Sequence, residues 1–132
     1  MAAPFFEEAD REESPPTARH LQDETKRARH QPIVCAACKH PITHAREACQ
    51  EGGKHAHTCM NPEGYFYRVG CYEKAPGCQF VGPPDPRWSW FDGYAWQVAV
   101  CGGCREHLGW RFTNEARTFF GLITDRLETS RD

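Results

Sequence analysis

Four of the eight cysteines in this 132-residue chain stand in two pairs with the spacing of a metal site. The pairs are Cys35 with Cys38 and Cys101 with Cys104, and each has two small residues between its thiols. One tight turn per pair can direct both sulfurs at one ion, and two such turns complete a tetrahedral sulfur shell. The Gly-Gly linker of the second pair is available for positive φ angles. The sequence therefore predicts one structural zinc ion, Zn2+, with no open position for catalysis.

The other cysteines have a less specific pattern. Cys71 and Cys78 flank Y-E-K-A-P-G, which predicts a hairpin across which the two thiols could face each other. In a cytosolic protein we favour small buried side chains over a disulfide, and no βαβ pattern indicates a redox pair. His55 and His57 precede Cys59, and alternation would put all three on one strand face as bases and thiol. We favour two solvated histidines instead.

The stretch W-S-W-F-D-G-Y-A-W, Trp88–Trp96, holds three of the chain's four tryptophans around an Asp-Gly turn. Zinc at the second cysteine pair would hold the strands on either side of it together, and with them Trp96 and Trp110. We expect Trp88 and Trp90 to share one strand face. Two interpretations compete: a cage in which Trp90, Trp96 and Trp110 converge, and a core that buries one or two tryptophans. In a cage the rings of this stretch would stay partly exposed, because the cage must open to admit a ligand.

Composition argues against several classes of protein. The net charge is −2 and the pI is about 6.4, without the basic excess that a nucleic-acid backbone requires. No apolar run is long enough to span a membrane. The acidic N-terminus lacks the apolar segment of a secretory signal. We therefore expect a cytoplasmic monomer that binds neither nucleic acid nor a membrane.

The chain divides into a tail and one domain. Residues 1–30 are rich in charge and poor in apolar side chains, which predicts a disordered tail. Residues 31–128 hold short β-type runs between turns, such as Gly64–Val69 and Thr118–Ile123, and a stiff proline loop at Pro83–Pro86. No strong helix is predicted, so we expect an antiparallel all-β domain.

Four motifs resemble the thalidomide-binding domain of the cereblon family, the CULT domain. They are S-W-F-D-G-Y-A-W, C-G-G-C-R-E-H-L-G-W-R-F, N-P-E-G-Y and the upstream C-A-A-C. The resemblance runs from about Pro32 to Leu127 and is closest to the short single-domain bacterial members. It implies a β-tent fold, in which two antiparallel sheets meet at an angle and one four-cysteine zinc pins them.

The resemblance also implies a binding pocket. In this family a cage of three tryptophans holds cyclic imides, such as glutarimide and succinimide, and also uracil-type rings. Carried over by motif, the cage walls are Trp90, Trp96 and Trp110, the floor is Phe112, and the rim residue is Asn61.

This chain departs from the family pattern at one position of the pocket. Where eukaryotic members have a histidine that donates to an imide carbonyl, this chain has Trp88. The resemblance implies that backbone groups bind the imide edge, here the Trp88 carbonyl and the Trp90 N–H. We also expect the chain to lack the Lon-like domain and adaptor-binding helices of full-length members, and so not to act as a ubiquitin-ligase receptor.

Three classes of function stay open. The first is a zinc-containing, non-enzymatic module that binds small cyclic imides or uracil-like ligands, among them the cyclised C-termini of damaged proteins. The second is a β-tent enzyme of the methionine sulfoxide reductase type, but no reactive cysteine follows Cys104. The third is a zinc-ribbon interaction module for a protein or nucleic acid. We favour the first.

Overall fold

A computed structural model describes residues 31–130. In that range lie nine strands and two single-turn 3-10 helices, at Ala45–Glu47 and Thr124–Arg126. The strands are β1 (Pro32–Cys35), β2 (Pro41–His44), β3 (Ala56–Met60), β4 (Phe66–Tyr72), β5 (Cys78–Asp85), β6 (Ala95–Cys101), β7 (His107–Thr113), β8 (Thr118–Ile123) and β9 (Leu127–Thr129). The tail predicted over residues 1–30 lies outside the described residues. None of the described helices is long and apolar enough to span a bilayer.

The strands form two sheets. A three-stranded sheet has the order β2-β1-β9, and a six-stranded sheet has the order β3-β4-β8-β7-β6-β5. Every pair of neighbouring strands in both sheets is antiparallel. The predicted fold class, an all-β domain of two antiparallel sheets, is confirmed.

Strand β8 lies inside the larger sheet because its sequence, T-F-F-G-L-I, is apolar almost throughout. Its last five residues are buried, as expected for a short continuous apolar strand. Gly121 stands opposite Trp110 of β7, and a Cβ atom there would lie 3.0 Å from Cε2 of Phe112. The glycine therefore leaves room for an aromatic ring of the neighbouring strand.

The core consists of two clusters of buried side chains. The first draws Cys35 and Ile42 from the smaller sheet and Leu108 and Leu122 from the larger one. It therefore packs the two sheets against each other.

The second cluster is mainly aromatic and belongs to the larger sheet and the loop before β6. Phe112 stacks on Phe119 with ring centroids 5.2 Å apart, and Phe91 meets Phe112 edge to face at 4.8 Å. Such ring pairs contribute about 0.5–1.5 kcal/mol each beyond their buried area. The cluster forms a rigid support beneath β7.

The hairpin predicted between Cys71 and Cys78 is wrong. Strands β4 and β5 are separated in the sheet by β8, β7 and β6. Cys71 stands opposite Gly121, and Cys78 stands opposite Cys101. All eight cysteines of the chain are free thiols. The two residues are buried side chains in different core clusters, as the favoured interpretation held.

The loop predicted at Pro83–Pro86 is wrong for its first part, because β5 continues to Asp85. This strand is at the edge of the larger sheet, and its pairing with β6 is irregular between Val81 and Asp85. Proline is tolerated at an edge or bulge because its missing N–H costs no ladder bond there.

The shared strand face predicted for Trp88 and Trp90 is also wrong. Both residues lie in the loop between β5 and β6, which we call the tryptophan loop (residues 86–94). Trp88 has a φ of 63°, in the left-handed region that no strand uses. Alternation therefore does not apply to this segment.

Candidate metal centre and aromatic cavity

Two turns of the same construction carry the four cysteines of the predicted metal site. Cys35 ends β1 and Cys101 ends β6, and Cys38 and Cys104 lie in the turns that follow. In each turn the backbone N–H four residues on donates to the carbonyl of the first cysteine, at 2.8 Å for Cys35 and 2.9 Å for Cys101. Both half-sites are therefore fixed by backbone hydrogen bonds.

The sulfur atoms of these cysteines are close enough to share one ion. All four Sγ atoms lie within 4.8 Å of one another. Sγ of Cys35 is 3.7 Å from Sγ of Cys104, and Sγ of Cys38 is 3.6 Å from Sγ of Cys101. Zinc–sulfur bonds of about 2.3 Å in a tetrahedron would put neighbouring sulfurs about 3.8 Å apart. The four cysteines are positioned to coordinate one metal ion.

The positive φ angles in these turns fall on the residue after the second cysteine. Lys39 has a φ of 68° and Arg105 a φ of 71°. The Gly-Gly linker does not supply them, so that expectation is wrong. Glycine is needed there for space instead, since a Cβ atom on Gly102 would lie 2.8 Å from the carbonyl oxygen of Gly77.

Backbone donors make Cys101 a ready metal ligand. Burial raises the pKa of its thiol, but the N–H groups of Cys104 and Gly103 point at its sulfur from 3.5 and 3.3 Å and bring the pKa to about 7. These hydrogen bonds favour the thiolate, which is the form that binds a metal ion.

The four-cysteine cluster draws its residues from both sheets. Its first cysteine pair belongs to the three-stranded sheet and its second pair to the six-stranded sheet. A backbone hydrogen bond crosses the same boundary: the N–H of Gly77, just before β5, donates to the carbonyl of Ile42 in β2 at 3.0 Å. The carbonyl of Gly77 also accepts from the N–H of Gly102, just after β6, at 2.8 Å. A bound ion would therefore add a second link between the two sheets.

A second feature is a cavity of about 320 Å³ between the tryptophan loop, the β3–β4 turn and strand β7. It is lined by Asn61, Pro62, Tyr67, Trp88, Trp90, Trp96, Val98, His107, Trp110 and Phe112. All six residues that the motifs assigned to a ligand are among them. The structure thus brings these six around one space.

Two of the indole rings are held by hydrogen bonds. Trp90 donates its ring N–H to the carbonyl of Met60 at 2.8 Å, and Trp96 donates to the carbonyl of Arg87 at 2.6 Å. The Trp90 ring also meets the Trp110 ring edge to face, with centroids 4.6 Å apart. These contacts hold the Trp90 and Trp96 rings in place at the cavity.

The rim residue is held by its turn. Oδ1 of Asn61 accepts the backbone N–H groups of Glu63 and Tyr65, at 3.0 and 2.9 Å. Such an Asx turn uses the amide oxygen. The Asn61 side chain is therefore fixed beside the cavity.

Exposure differs among the aromatic side chains of the cavity. Trp88 is 77% exposed, whereas Trp110 is only 9% and Phe112 only 1% exposed. The expectation that the rings of Trp88–Trp96 stay partly exposed is wrong for Phe91 and Tyr94, which are 8% and 9% exposed because they belong to the aromatic core. It holds for Trp90 and Trp96, which are partly buried.

Four lining residues were missed from the sequence: Pro62, Tyr67, Val98 and His107. Tyr67 and His107 each meet Trp110 edge to face, with centroids 5.2 and 4.7 Å away. His107 and Trp110 are three residues apart, and regular alternation would put them on opposite faces of the strand, so the sequence did not indicate that they meet. The pairing of β7 with β6 is irregular at this point, because neighbouring Ala99 and Val100 pair with Gly109 and His107. Strand β7 therefore has one extra residue, as in a β-bulge, and His107 comes to lie on the same face as Trp110.

The surroundings of His107 favour its neutral form. Desolvation lowers its pKa, and a ring nitrogen lies 3.0 Å from the carbonyl oxygen of Gly109. An uncharged ring suits a cavity whose other walls are mostly aromatic.

His57 and Cys59 lie two residues apart in β3 and so share a strand face, but they do not form an activated thiol with its base. Burial raises the pKa of Cys59 to about 11, so the thiol is protonated at neutral pH. A ring nitrogen of His57 bonds to the Lys54 carbonyl at 3.1 Å. His55 precedes β3 and bonds to the Cys49 carbonyl at 3.0 Å. Both histidines are half-buried, so the solvated interpretation was wrong as well.

Comparison with known proteins adds relatives to this geometry. No protein-family model matches the chain. Protein cereblon of Gallus gallus is 43% identical over 73 residues, which are 52% of this chain and 16% of that protein. Protein cereblon of Danio rerio is 41% identical over 54 residues, which are 41% of this chain and 12% of that protein. Protein cereblon of Drosophila erecta is 30% identical over 99 residues, which are 68% of this chain and 17% of that protein.

Fold and site together define an all-β domain of two sheets, in which four cysteines from both sheets are positioned to coordinate one metal ion beside an aromatic cavity. This domain is cereblon-like, and the resemblance drawn from the motifs is confirmed by these relatives. The chain spans less than a fifth of the length of the curated relatives it matches. Its assignment to the short single-domain bacterial members stays a prediction.

Proposed function

We propose that this domain binds a small cyclic imide or uracil-like ring in the aromatic cavity, and that one structural zinc ion at the four cysteines stabilises it. The observation that carries the proposal is the cavity itself. Four tryptophans, a tyrosine and a phenylalanine line about 320 Å³, near the lower end of typical ligand pockets. Such a space fits one small ring enclosed by flat aromatic faces.

The polar edge of the ligand would meet backbone groups of the tryptophan loop. An imide presents an N–H between two carbonyls, and so needs one acceptor flanked by donors. Among residues 31–130, the Trp88 carbonyl and the Trp90 N–H have no hydrogen-bond partner. Both are therefore available to a ligand, and the loop bonds of the indoles keep the ordering cost low.

Zinc is the metal that we propose for the four cysteines. Four thiolates in a tetrahedral arrangement suit zinc, and the site leaves no ligand position for water. The ion would be structural, because no side chain other than the four cysteines belongs to the cluster within the described range.

We further propose a non-enzymatic, monomeric module of the cytoplasm. The eight free cysteines suit a reducing compartment. Burial raises the pKa values of Cys59, Cys71 and Cys78 to about 11 or 12, which argues against a nucleophilic thiol and against a sulfoxide reductase. The natural ligand would be a free imide or the cyclised C-terminus of a damaged protein. The net charge of −2 supports neither nucleic acid nor an anionic membrane as a partner.

A titration tests the proposal. Glutarimide is added to the zinc-loaded protein, and intrinsic tryptophan fluorescence is followed together with binding heat. We expect saturable binding by glutarimide and none by N-methylglutarimide, because methylation removes the donor for the Trp88 carbonyl. Absence of binding at millimolar glutarimide, or equal binding of both compounds, would contradict the proposal.

A further inference from the structure

We infer that the side chain of Trp88 is the specificity-determining wall of the cavity: it separates the cavity from an open groove and restricts binding to small rings. The inference rests on the proposed function, since it concerns the size of the ligand in the same cavity. Four observations carry it: the position of the residue, its exposure, its backbone conformation and the bonds on either side.

Trp88 borders two spaces at once. It lines the aromatic cavity and also a wide groove on the other side of the tryptophan loop. The groove is formed with Asp92, Tyr94, Asn114 and Glu115, none of which lines the cavity. Within the part of the chain that the structure describes, Trp88 is the one residue that lines both. Removing its indole would therefore open the cavity towards the groove.

The Trp88 indole contributes little to the fold. It is 77% exposed, and within residues 31–130 it forms no hydrogen bond and no ring contact. Trp90 and Trp96, by contrast, donate their indole N–H groups to backbone carbonyls. The exposed indole lines the cavity and is therefore free to contact a ligand there.

The backbone at Trp88 is strained. Its φ of 63° is an outlier for a bulky residue, which glycine or asparagine would adopt at lower cost. Strain of this kind persists when the surroundings fix it, and it occurs most often at functional sites.

The neighbours of Trp88 hold that conformation. Arg87 forms a two-pronged ion pair with Asp85, at 3.0 Å from Nε and 2.9 Å from Nη2, and its carbonyl accepts the Trp96 indole N–H. On the other side, the Ser89 hydroxyl donates to the Phe91 carbonyl at 3.0 Å. The loop thus fixes Trp88 from both ends.

The test uses three substitutions and two ligands. Trp88→Asn removes the indole and relieves the strain, Trp88→Ala removes the indole and keeps the strain, and Trp88→Phe keeps an aromatic wall. The ligands are glutarimide and a glutarimide that carries a bicyclic aromatic group on ring carbon 3. Dissociation constants come from calorimetry and melting temperatures from thermal unfolding.

We expect Trp88→Asn to weaken glutarimide binding about tenfold, the loss typical of an aromatic contact at a binding site. The bulky ligand should lose less than about threefold, because its substituent can then enter the groove. Trp88→Phe should restore most of the preference for the small ring. A purely structural role would weaken both ligands equally.

The melting temperatures of the Trp88 variants distinguish an effect on backbone strain from an effect on ligand binding. Trp88→Asn should melt at or above the temperature of the wild type, and Trp88→Ala a few degrees below Trp88→Asn. Val81→Asn, an exposed edge-strand substitution outside both spaces, should change neither affinity.

Each outcome is decisive. If the wild type binds glutarimide and Trp88→Asn keeps the same ratio of the two affinities, the inference is wrong while the proposed function stands. A wild type that binds neither ligand overturns both. If Trp88→Asn lowers the melting temperature by more than about 10 °C, the indole is part of the core and the inference fails.

Discussion

Replacing one exposed cysteine by serine should destabilise the whole domain. Cys38 is exposed, and Cys38→Ser keeps almost the same shape. An exposed substitution away from any special feature usually changes stability very little. At this position we expect a large loss, because the Cys38 sulfur lies 3.6 Å from that of Cys101 in the four-cysteine cluster.

The expected size follows from the metal. A structural zinc ion bound by thiolates contributes on the order of 10 kcal/mol of apparent folding energy, comparable to the whole net stability of a small domain. Each kcal/mol lost shifts the melting temperature of a domain of this size by roughly 4–8 °C. Loss of tight zinc binding should therefore lower the melting temperature by more than about 15 °C, and a chelator should do the same to the wild type.

The assay combines thermal unfolding with metal analysis. Wild type should carry one zinc per chain, and Cys38→Ser should carry much less. The control is Cys49→Ser, a half-buried thiol outside the cluster, which should keep its zinc and most of its melting temperature. The reasoning is refuted if Cys38→Ser melts within a few degrees of the wild type, or if metal-free wild type shows an undisturbed transition.

Three further predictions concern other side chains. Trp110→Ala should cost about 3–5 kcal/mol of unfolding free energy in a urea titration, since the ring is 9% exposed, and half-buried Trp96→Ala should cost clearly less; equal losses would contradict this burial. Desolvation lowers the pKa of His107 in the folded protein below its value of about 6.5 in the unfolded chain. The contribution of His107 to stability is therefore complete above about pH 6.5 and is lost as the pH falls through the lower pKa of the folded state. His107→Gln should therefore reduce the drop in melting temperature between pH 7.5 and pH 5. An unchanged drop would contradict the lowered pKa of His107 in the folded protein. Cys59, with a pKa raised to about 11 by burial, should react with iodoacetamide at pH 7.5 far more slowly in the folded than in the unfolded protein, as read by mass spectrometry; rapid labelling of the folded form would show that the thiol is accessible.

The four-cysteine cluster could be predicted from the sequence because each half of it is local. Two residues between cysteines encode one tight turn, and the structure repeats that turn at Cys35 and Cys101 with the same hydrogen bonds. The strand at Thr118–Ile123 was also predicted correctly, since an apolar run of six residues is a local signal.

The rest depends on contacts between distant parts of the chain. The order of the larger sheet places β8 between β4 and β7, and no local pattern around Cys71 or Cys78 encodes that insertion. The prediction of a hairpin there used only the turn residues, and so it failed. His107 was missed because an irregular step in β7, and not regular alternation, brings it beside Trp110.

The tryptophan loop shows a third limit. Its aromatic residues were expected on a strand, but the proline-rich end of β5 and the Asp85–Arg87 ion pair turn the chain before Trp88. The convergence of Trp90 and Trp110 nevertheless agrees with the cage interpretation, because their positions depend on β7 and on the bond from Trp90 to Met60.

The central claim, that the aromatic cavity holds a cyclic imide, is tested most directly by nuclear magnetic resonance of the zinc-loaded, 15N-labelled protein titrated with glutarimide. We predict that the Trp90 backbone amide shifts downfield as it donates to an imide carbonyl, and that the indole N–H signals of Trp96 and Trp110 shift with the same dissociation constant. Signals of Phe80 and Val81, on the edge strand outside the cavity, should stay in place. Shifts confined to residues outside the cavity, or no shifts at millimolar glutarimide, would contradict the account.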